Sequence, residues 1–185
     1  MPKKYPNQIQ IIGGMWRGRK IPVPDVPGLR PTPARIRETL FNWLAPFIVD
    51  ARCLDLFAGS GALGIEALSR GARSVTFIDQ SPLATVNIQN YLTRLSVKEI
   101  SVMQTSIPCA TLALAPFDIV FLDPPFQQGL LPPTCLWLAK SGLLKPQALI
   151  YIETEVSNTP LSLPASWHIL RSRHTATISY HLARS

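Results

Sequence analysis

Asp55-Leu-Phe-Ala-Gly59-Ser-Gly61-Ala-Leu-Gly64 closes a short apolar run at 52–57 and opens a helical pattern near 62–70. Its glycines let the backbone turn sharply and approach a ligand, while the start of a helix aims free N–H groups at that ligand. Gly59, Gly61 and Gly64 satisfy the G-x-G-x-x-G spacing. Asp79 follows twenty residues after Gly59, where an acid can accept hydrogen bonds from two ribose hydroxyls. Outward from this loop, strand-like runs at 74–79, 99–104, 117–122 and 148–153 alternate with helical segments near 82–94 and 132–140 and a weaker one near 108–114. Such alternation predicts an α/β fold, a parallel sheet covered on both faces. The runs at 167–171 and 175–182 are joined too tightly for a parallel crossover and predict an antiparallel hairpin.

The loop and Asp79 alone suit a nicotinamide dinucleotide as well as S-adenosylmethionine. Asp55 separates the two. A carboxylate at the strand end repels a pyrophosphate, whereas it attracts the ammonium and sulfonium of S-adenosylmethionine. Phe57, Ala58, Ser60 and Gln80 flank these positions and join Asp55, Gly59, Gly61 and Asp79 as expected cofactor contacts. The plainer reading is that Asp55 caps the loop or pairs with Arg35 or Arg37.

Phe117-Asp-Ile-Val-Phe-Leu-Asp123-Pro124-Pro125-Phe126 carries the sharper chemistry. Two prolines stop a buried strand and leave an acid at the carboxyl edge of the sheet, where open α/β folds bind ligands. The Asp123 carboxylate and the Pro124 carbonyl can accept two N–H bonds from the exocyclic amine of a nucleobase, turning its lone pair toward a methyl donor. Phe126 can stack on the base. Without the preceding loop, the tetrapeptide reads equally as a strand-ending turn with Phe126 in the core.

The 185 residues suit one domain, and the net charge of +7 makes nucleic acid the first partner to consider. Residues 1–37 carry Lys3, Lys4, Arg17, Arg19, Lys20, Arg30, Arg35 and Arg37 against the single acid Asp25. Residues 1–31 are expected to form a basic extension with a hairpin between 8–12 and 19–23, ahead of a domain spanning 32–185. Thr32 suits a helix N-cap and Pro33 the first helical position. Ile36, Leu40, Trp43, Leu44 and Phe47 then make one apolar face. Trp16, beside Arg17, Arg19 and Lys20, suits either packing or a grip on RNA. Cys53, Cys109 and Cys135 have no spacing for a zinc site or disulfide framework, so no metal is expected and a reducing compartment fits. His168, His174 and His181 read as structural. Glu153 and Glu155 read as active-site periphery at most. With neither a signal peptide nor a membrane-length apolar run, a soluble cytoplasmic protein is expected.

These motifs together resemble the RsmD family, bacterial methyltransferases acting on guanine N2 of small-subunit ribosomal RNA. The likeness is strongest in Ile11-Ile-Gly-Gly-Met-Trp-Arg-Gly-Arg-Lys20, in the segment 29–44, in 54–64 and in Asp123-Pro-Pro-Phe126. It implies a class I Rossmann-like methyltransferase fold. Its sheet is seven-stranded and mostly parallel, with the last strand antiparallel, and an N-terminal β-hairpin and helix precede it. The resemblance also implies S-adenosylmethionine as cofactor, with Ser106 near its adenine end, and 16S ribosomal RNA as partner, within a small subunit or its precursor. No stable protein partner is expected. Asp123, Pro124 and Phe126 would act on the guanine, and Trp16, Arg17, Arg19, Lys20, Arg30 and Pro125 would touch the RNA. Gln127 and Gln128 stand where the family often has basic residues. Two other activities fit the same loops: DNA adenine-N6 methylation and, through the glycine loop alone, nicotinamide-dependent oxidoreduction.

Overall fold

The computed structural model describes residues 8–26, 31–109, 112–158 and 161–185. Strands β1 (Gln8–Gln10) and β2 (Lys20–Pro22) form an antiparallel hairpin with Ile9 opposite Ile21. Helix α1 (Ala34–Leu44) follows, and then β3 (Arg52–Asp55), α2 (Ala62–Ser69), β4 (Ser74–Asp79), α3 (Pro82–Arg94), β5 (Ser101–Gln104), β6 (Phe117–Leu122), α4 (Leu131–Lys140), β7 (Leu144–Glu155), β8 (His168–His174) and β9 (Ile178–Arg184). The seven-stranded sheet has the order β5-β4-β3-β6-β7-β9-β8. β9 runs antiparallel to both its neighbours, and the pairs from β5 to β7 are parallel. The chain winds outward from β3 to β5, then returns to β3's other side with β6. That reversal opens a crevice between the loops after β3 and β6, the general ligand position of such sheets.

Strand alternation sorts the interior into two layers. Cys53, Phe77, Ile119, Phe121 and Tyr151 face one core with Leu40 and Phe41 of α1, Ile65 of α2 and Ile88 of α3. Leu54, Ile78, Val120, Leu122, Ile150 and Ile152 face the other with Cys135 and Leu138 of α4. Trp167 packs into this second core.

Several local expectations change. Among the described residues of 108–114 none is helical. Cys109, Leu112 and Leu114 nonetheless pack against the second core, so their apolar pattern reflects burial of an irregular link. β7 begins four residues before the expected 148, across a register shift that Gln147 accommodates at φ 66°. Pro33, not Thr32, occupies the N-cap of α1, and no side chain caps that end. The Thr32 hydroxyl is used elsewhere, as described below. Phe47 lies beyond the end of α1 and is 46% exposed, whereas Trp43 stacks on Tyr180 with ring centroids 5.6 Å apart.

A buried acid joins the N-terminal segment to this frame. Glu66 of α2 is completely buried. Its Oε1 accepts from the Gly13 N–H and Arg70 Nε, each at 2.8 Å, and its Oε2 from the Ile12 N–H at 2.8 Å and Arg37 at 3.5 Å. Arg37, itself buried, also donates to the Gln10 carbonyl at 3.0 Å. It is thus engaged with Glu66 and not with Asp55. Gly14 is required beside it: its φ is +78°, and a Cβ there would lie 1.8 Å from the Ser69 carbonyl oxygen.

Candidate active site

β3 and β6 are register neighbours with Asp55 opposite Phe121, so Asp123 projects one side-chain repeat farther out on the same face of the sheet. Both acids therefore reach the one crevice. Asp55 is buried, and its Oδ2 accepts the Gly64 N–H at 3.1 Å. Burial pushes its carboxyl up to about 7, against the pull of that hydrogen bond and with help from the charge of Asp79. Gly59 (φ 52°) and Gly61 (φ 77°) make the left-handed turn, and α2 starts without a side-chain cap. Gly64 serves packing, because a Cβ there would sit 2.2 Å from the Phe77 ring.

Asp79 stands at the end of β4 with Oδ2 accepting the Gly59 N–H at 2.7 Å and Oδ1 the Ser81 N–H at 2.8 Å. It holds the glycine loop in shape while remaining half-buried at the crevice. Ala58 and Ser60 are buried, Phe57 is half-buried, and Gln80 and Ser106 are exposed beyond the ends of β4 and β5.

Asp123 is half-buried, and its Oδ2 accepts the Thr32 hydroxyl at 3.1 Å. Burial and the charge of Glu153 hold its carboxyl well above the usual range, Thr32 opposes them, and Asp55 adds to the rise. Pro124 is buried, Pro125 exposed and Phe126 half-buried, so the aromatic ring is not consumed by the core. Two members of this cluster escaped sequence reasoning. Thr32 looked like a helix cap, and Glu153 looked peripheral. Leu122 opposite Ile152 in the β6–β7 register makes Asp123 and Glu153 neighbours. The spacing of Tyr151 and Glu153 also puts both on the Asp55 face. Glu155, at the rim, accepts from Gln127 at 3.3 Å.

The basic residues form a separate surface. Arg17, Arg19 and Lys20 are exposed, and Trp16 is half-buried against the first core. The hairpin tip docks through the Met15 N–H on the Ser69 carbonyl and the Trp16 N–H on the Ser69 hydroxyl. Ser69 lies at the far end of α2, about 10 Å along the helix from the start that faces the glycine loop. A cavity of about 510 Å³ lies between the hairpin and the segment leading into α1, lined by Gln10, Arg17, Thr32 and Arg37 among others. Arg30 lies outside the described residues.

Known proteins resemble this chain along most of its length. The family model described as Conserved hypothetical protein 95 matches residues 9–184. The Ribosomal RNA small subunit methyltransferase D of Escherichia coli is 50% identical over 188 residues, covering 97% of this chain and 93% of its own length. The protein of the same name from Haemophilus influenzae is 43% identical over 181 residues, covering 95% and 93%. The solved structure of yhhF from Escherichia coli superimposes with a TM-score of 0.87 at 45% identity, covering 96% of this chain and 98% of that one. A family model that matches nearly the whole chain, and relatives 43% and 50% identical over most of it, place the chain in the RsmD family, whose relatives are ribosomal RNA small subunit methyltransferases.

Proposed function

We propose that the chain transfers a methyl group from S-adenosylmethionine to the exocyclic N2 amine of a guanine in 16S ribosomal RNA, within a small subunit or its precursor in the cytoplasm. The observation that carries this reading is the convergence of Asp55 and Asp123 at one crevice, close enough for the charge of the first to shift the second. The crevice suits the cofactor: a cation beside Asp55 would offset the burial that raises its pKa and hold it as a carboxylate, and the start of α2 turns N–H groups toward the same loop. When bound, the cofactor supplies a methyl group already activated by its sulfonium. Asp55, Gly59 and Gly61, with Phe57, Ala58 and Ser60, would hold its amino-acid end; Asp79, Gln80 and Ser106 would hold its nucleoside.

The protein's own task is alignment. The Asp123 carboxylate and Pro124 carbonyl accept the two amine N–H bonds, Phe126 stacks on the base, and Pro125 borders it. The target base must leave its stack to reach this site. Residues 1–31 would act as an RNA-facing extension of a methyltransferase domain at 32–185, with Trp16, Arg17, Arg19, Lys20 and Arg30 on the phosphate backbone.

The deciding experiment incubates the protein with labelled S-adenosylmethionine and, in separate arms, small-subunit particles from cells lacking this gene or DNA, then digests the nucleic acid for mass spectrometry, with NADH binding followed in parallel by calorimetry. N2-methylguanosine is the expected product. Label appearing as N6-methyladenine in DNA, or no transfer together with NADH binding, would overturn the reading. In a separate binding titration at several salt concentrations, replacing Arg17, Arg19 and Lys20 with alanine is expected to weaken RNA binding. It should also flatten the slope of log affinity against log salt by about one unit for each phosphate left without its cation. An unchanged slope would remove the hairpin from the RNA interface.

A further inference from the structure

Strand β8 is exposed along its whole length, from His168 to His174, and ends the order of the seven-stranded sheet with β9 on one side. It is fixed in place there. The Ser172 hydroxyl meets Nδ1 of buried His181 at 2.6 Å, and the Ser179 hydroxyl meets the other ring nitrogen at 2.9 Å. β8 and β7 are both antiparallel to β9, so β8 runs parallel to β7 and finishes at the carboxyl edge, where the candidate site lies.

The register shows where the cations of this strand point. Ile169 lies opposite Ala183, a residue of the second core. Unbroken alternation would aim Arg171 and Arg173 toward that same face. A register shift between Ile169 and Arg171 turns them over, as bulges do beside active sites. Arg171 comes opposite Leu182 and Arg173 opposite Tyr180, both of the first core. Arg173, Tyr180, Glu153 and Asp123 then make one row on one face of the sheet. Three strand spacings separate its ends, about 14 Å.

Neither arginine makes an ion pair among the described residues, and residues 156–185 contain no acid. On the other flank, the hairpin is tied to α3 by Asn87, which donates to the Pro22 carbonyl at 2.9 Å, and α3 joins β4 to β5. The Asp123 rim therefore lies between two basic strips. Protection of a free edge needs charge but is indifferent to its sign and to the face it takes. A second copy pairing along β8 would set these arginines against their own like. A polyanion suits both the sign and the face.

We propose that Arg171 and Arg173 bind the RNA phosphate backbone on the side of the target nucleotide away from the hairpin, so that the RNA is held on both sides of the Asp123 rim. This rests on the function proposed above. Guanidinium forks match phosphate oxygens, and contacts of this kind set the position of the RNA on the rim without reading its sequence.

The test is a titration of the whole protein against small-subunit particles from cells lacking this gene, at several salt concentrations. Arg171→Ala with Arg173→Ala is expected to weaken binding roughly tenfold near physiological salt and to flatten the slope of log affinity against log salt by about 1.4 units, the single-strand value for two phosphates. Arg171→Lys with Arg173→Lys should keep the slope. Arg171→Glu with Arg173→Glu should bind worse than the alanine pair, with an unmoved melting temperature and no aggregation. Exposed Lys98 and Lys140 precede β5 and β7, at the opposite end of these strands. Lys98→Glu with Lys140→Glu changes the net charge by the same amount and should lose far less affinity.

An alanine pair that binds with the wild-type slope would refute this contact alone, as would a Lys98 and Lys140 pair as weak as the Arg171 and Arg173 glutamate pair. A wild-type dimer in sedimentation, with β8 amides protected from exchange as concentration rises, would give the edge to a second copy and overturn the proposal. Wild-type protein that neither binds nor methylates the particles would refute the proposed function, and this contact with it.

Discussion

Asp123→Ala is expected to lower methyl transfer by about 10²–10³-fold, the loss seen when one preorganised polar group is removed from a reacting centre. The nucleobase amine is a poor nucleophile because its lone pair is delocalised into the ring. Both the orientation that frees this lone pair and an acceptor for the departing proton disappear with the carboxylate. Cofactor affinity, measured by calorimetry, should change little, since the glycine loop is shaped by Asp79 and Asp55. Asp123→Asn should fare no better in turnover, because its amide turns an N–H toward either the amine or the Thr32 hydroxyl. Near-normal turnover in either variant would refute the alignment mechanism.

Glu66→Ala is expected to cost about 3–5 kcal/mol of stability, the range for removing one partner from a buried ion pair. Its carboxylate accepts from two backbone N–H groups and two arginines. Without it the Arg37 guanidinium is buried beside uncompensated donors, and the hairpin loses its main polar anchor. Chemical denaturation should show the midpoint falling at similar slope, and the melting temperature should drop by about 10 °C. A loss below about 1 kcal/mol would mean that the hairpin is held by Ile9, Ile11, Ile21 and Val23 alone. Glu66→Gln, which keeps an acceptor for Ile12 or Gly13, should be milder.

Much of the architecture was legible because it follows from local patterns. The boundaries of β4, β6 and α3 agree with apolar runs and helical spacing, and the glycine loop announced the first crossover. Phe47 misled because an apolar spacing continues past the point where α1 stops. The site divides in the same way. Asp55, Gly59, Asp79 and Asp123 stand in motifs that name their own place on a sheet. Thr32 and Glu153 do not. What they touch depends on the level at which one strand lies beside another, and on a hydrogen bond spanning 91 residues. Glu66 is similar: its partners Ile12, Gly13 and Arg37 are distant in the chain. Arg70 one turn on makes it look like half of a surface pair, and only the apolar Ala62, Leu63, Ile65 and Ala67 around it hint at burial.

The position of β9 has a consequence for synthesis. β9, made after β8, lies between β7 and β8, so a nascent chain that has emerged only through residue 174 carries β8 without its pairing partner. Until residues 178–184 follow, the β7 flank, with Leu149 to Ile152, remains an unpaired and strongly apolar edge. A ribosome stalled there would display a ready template for aggregation, and chaperone capture of that intermediate should end abruptly once the final strand slides in.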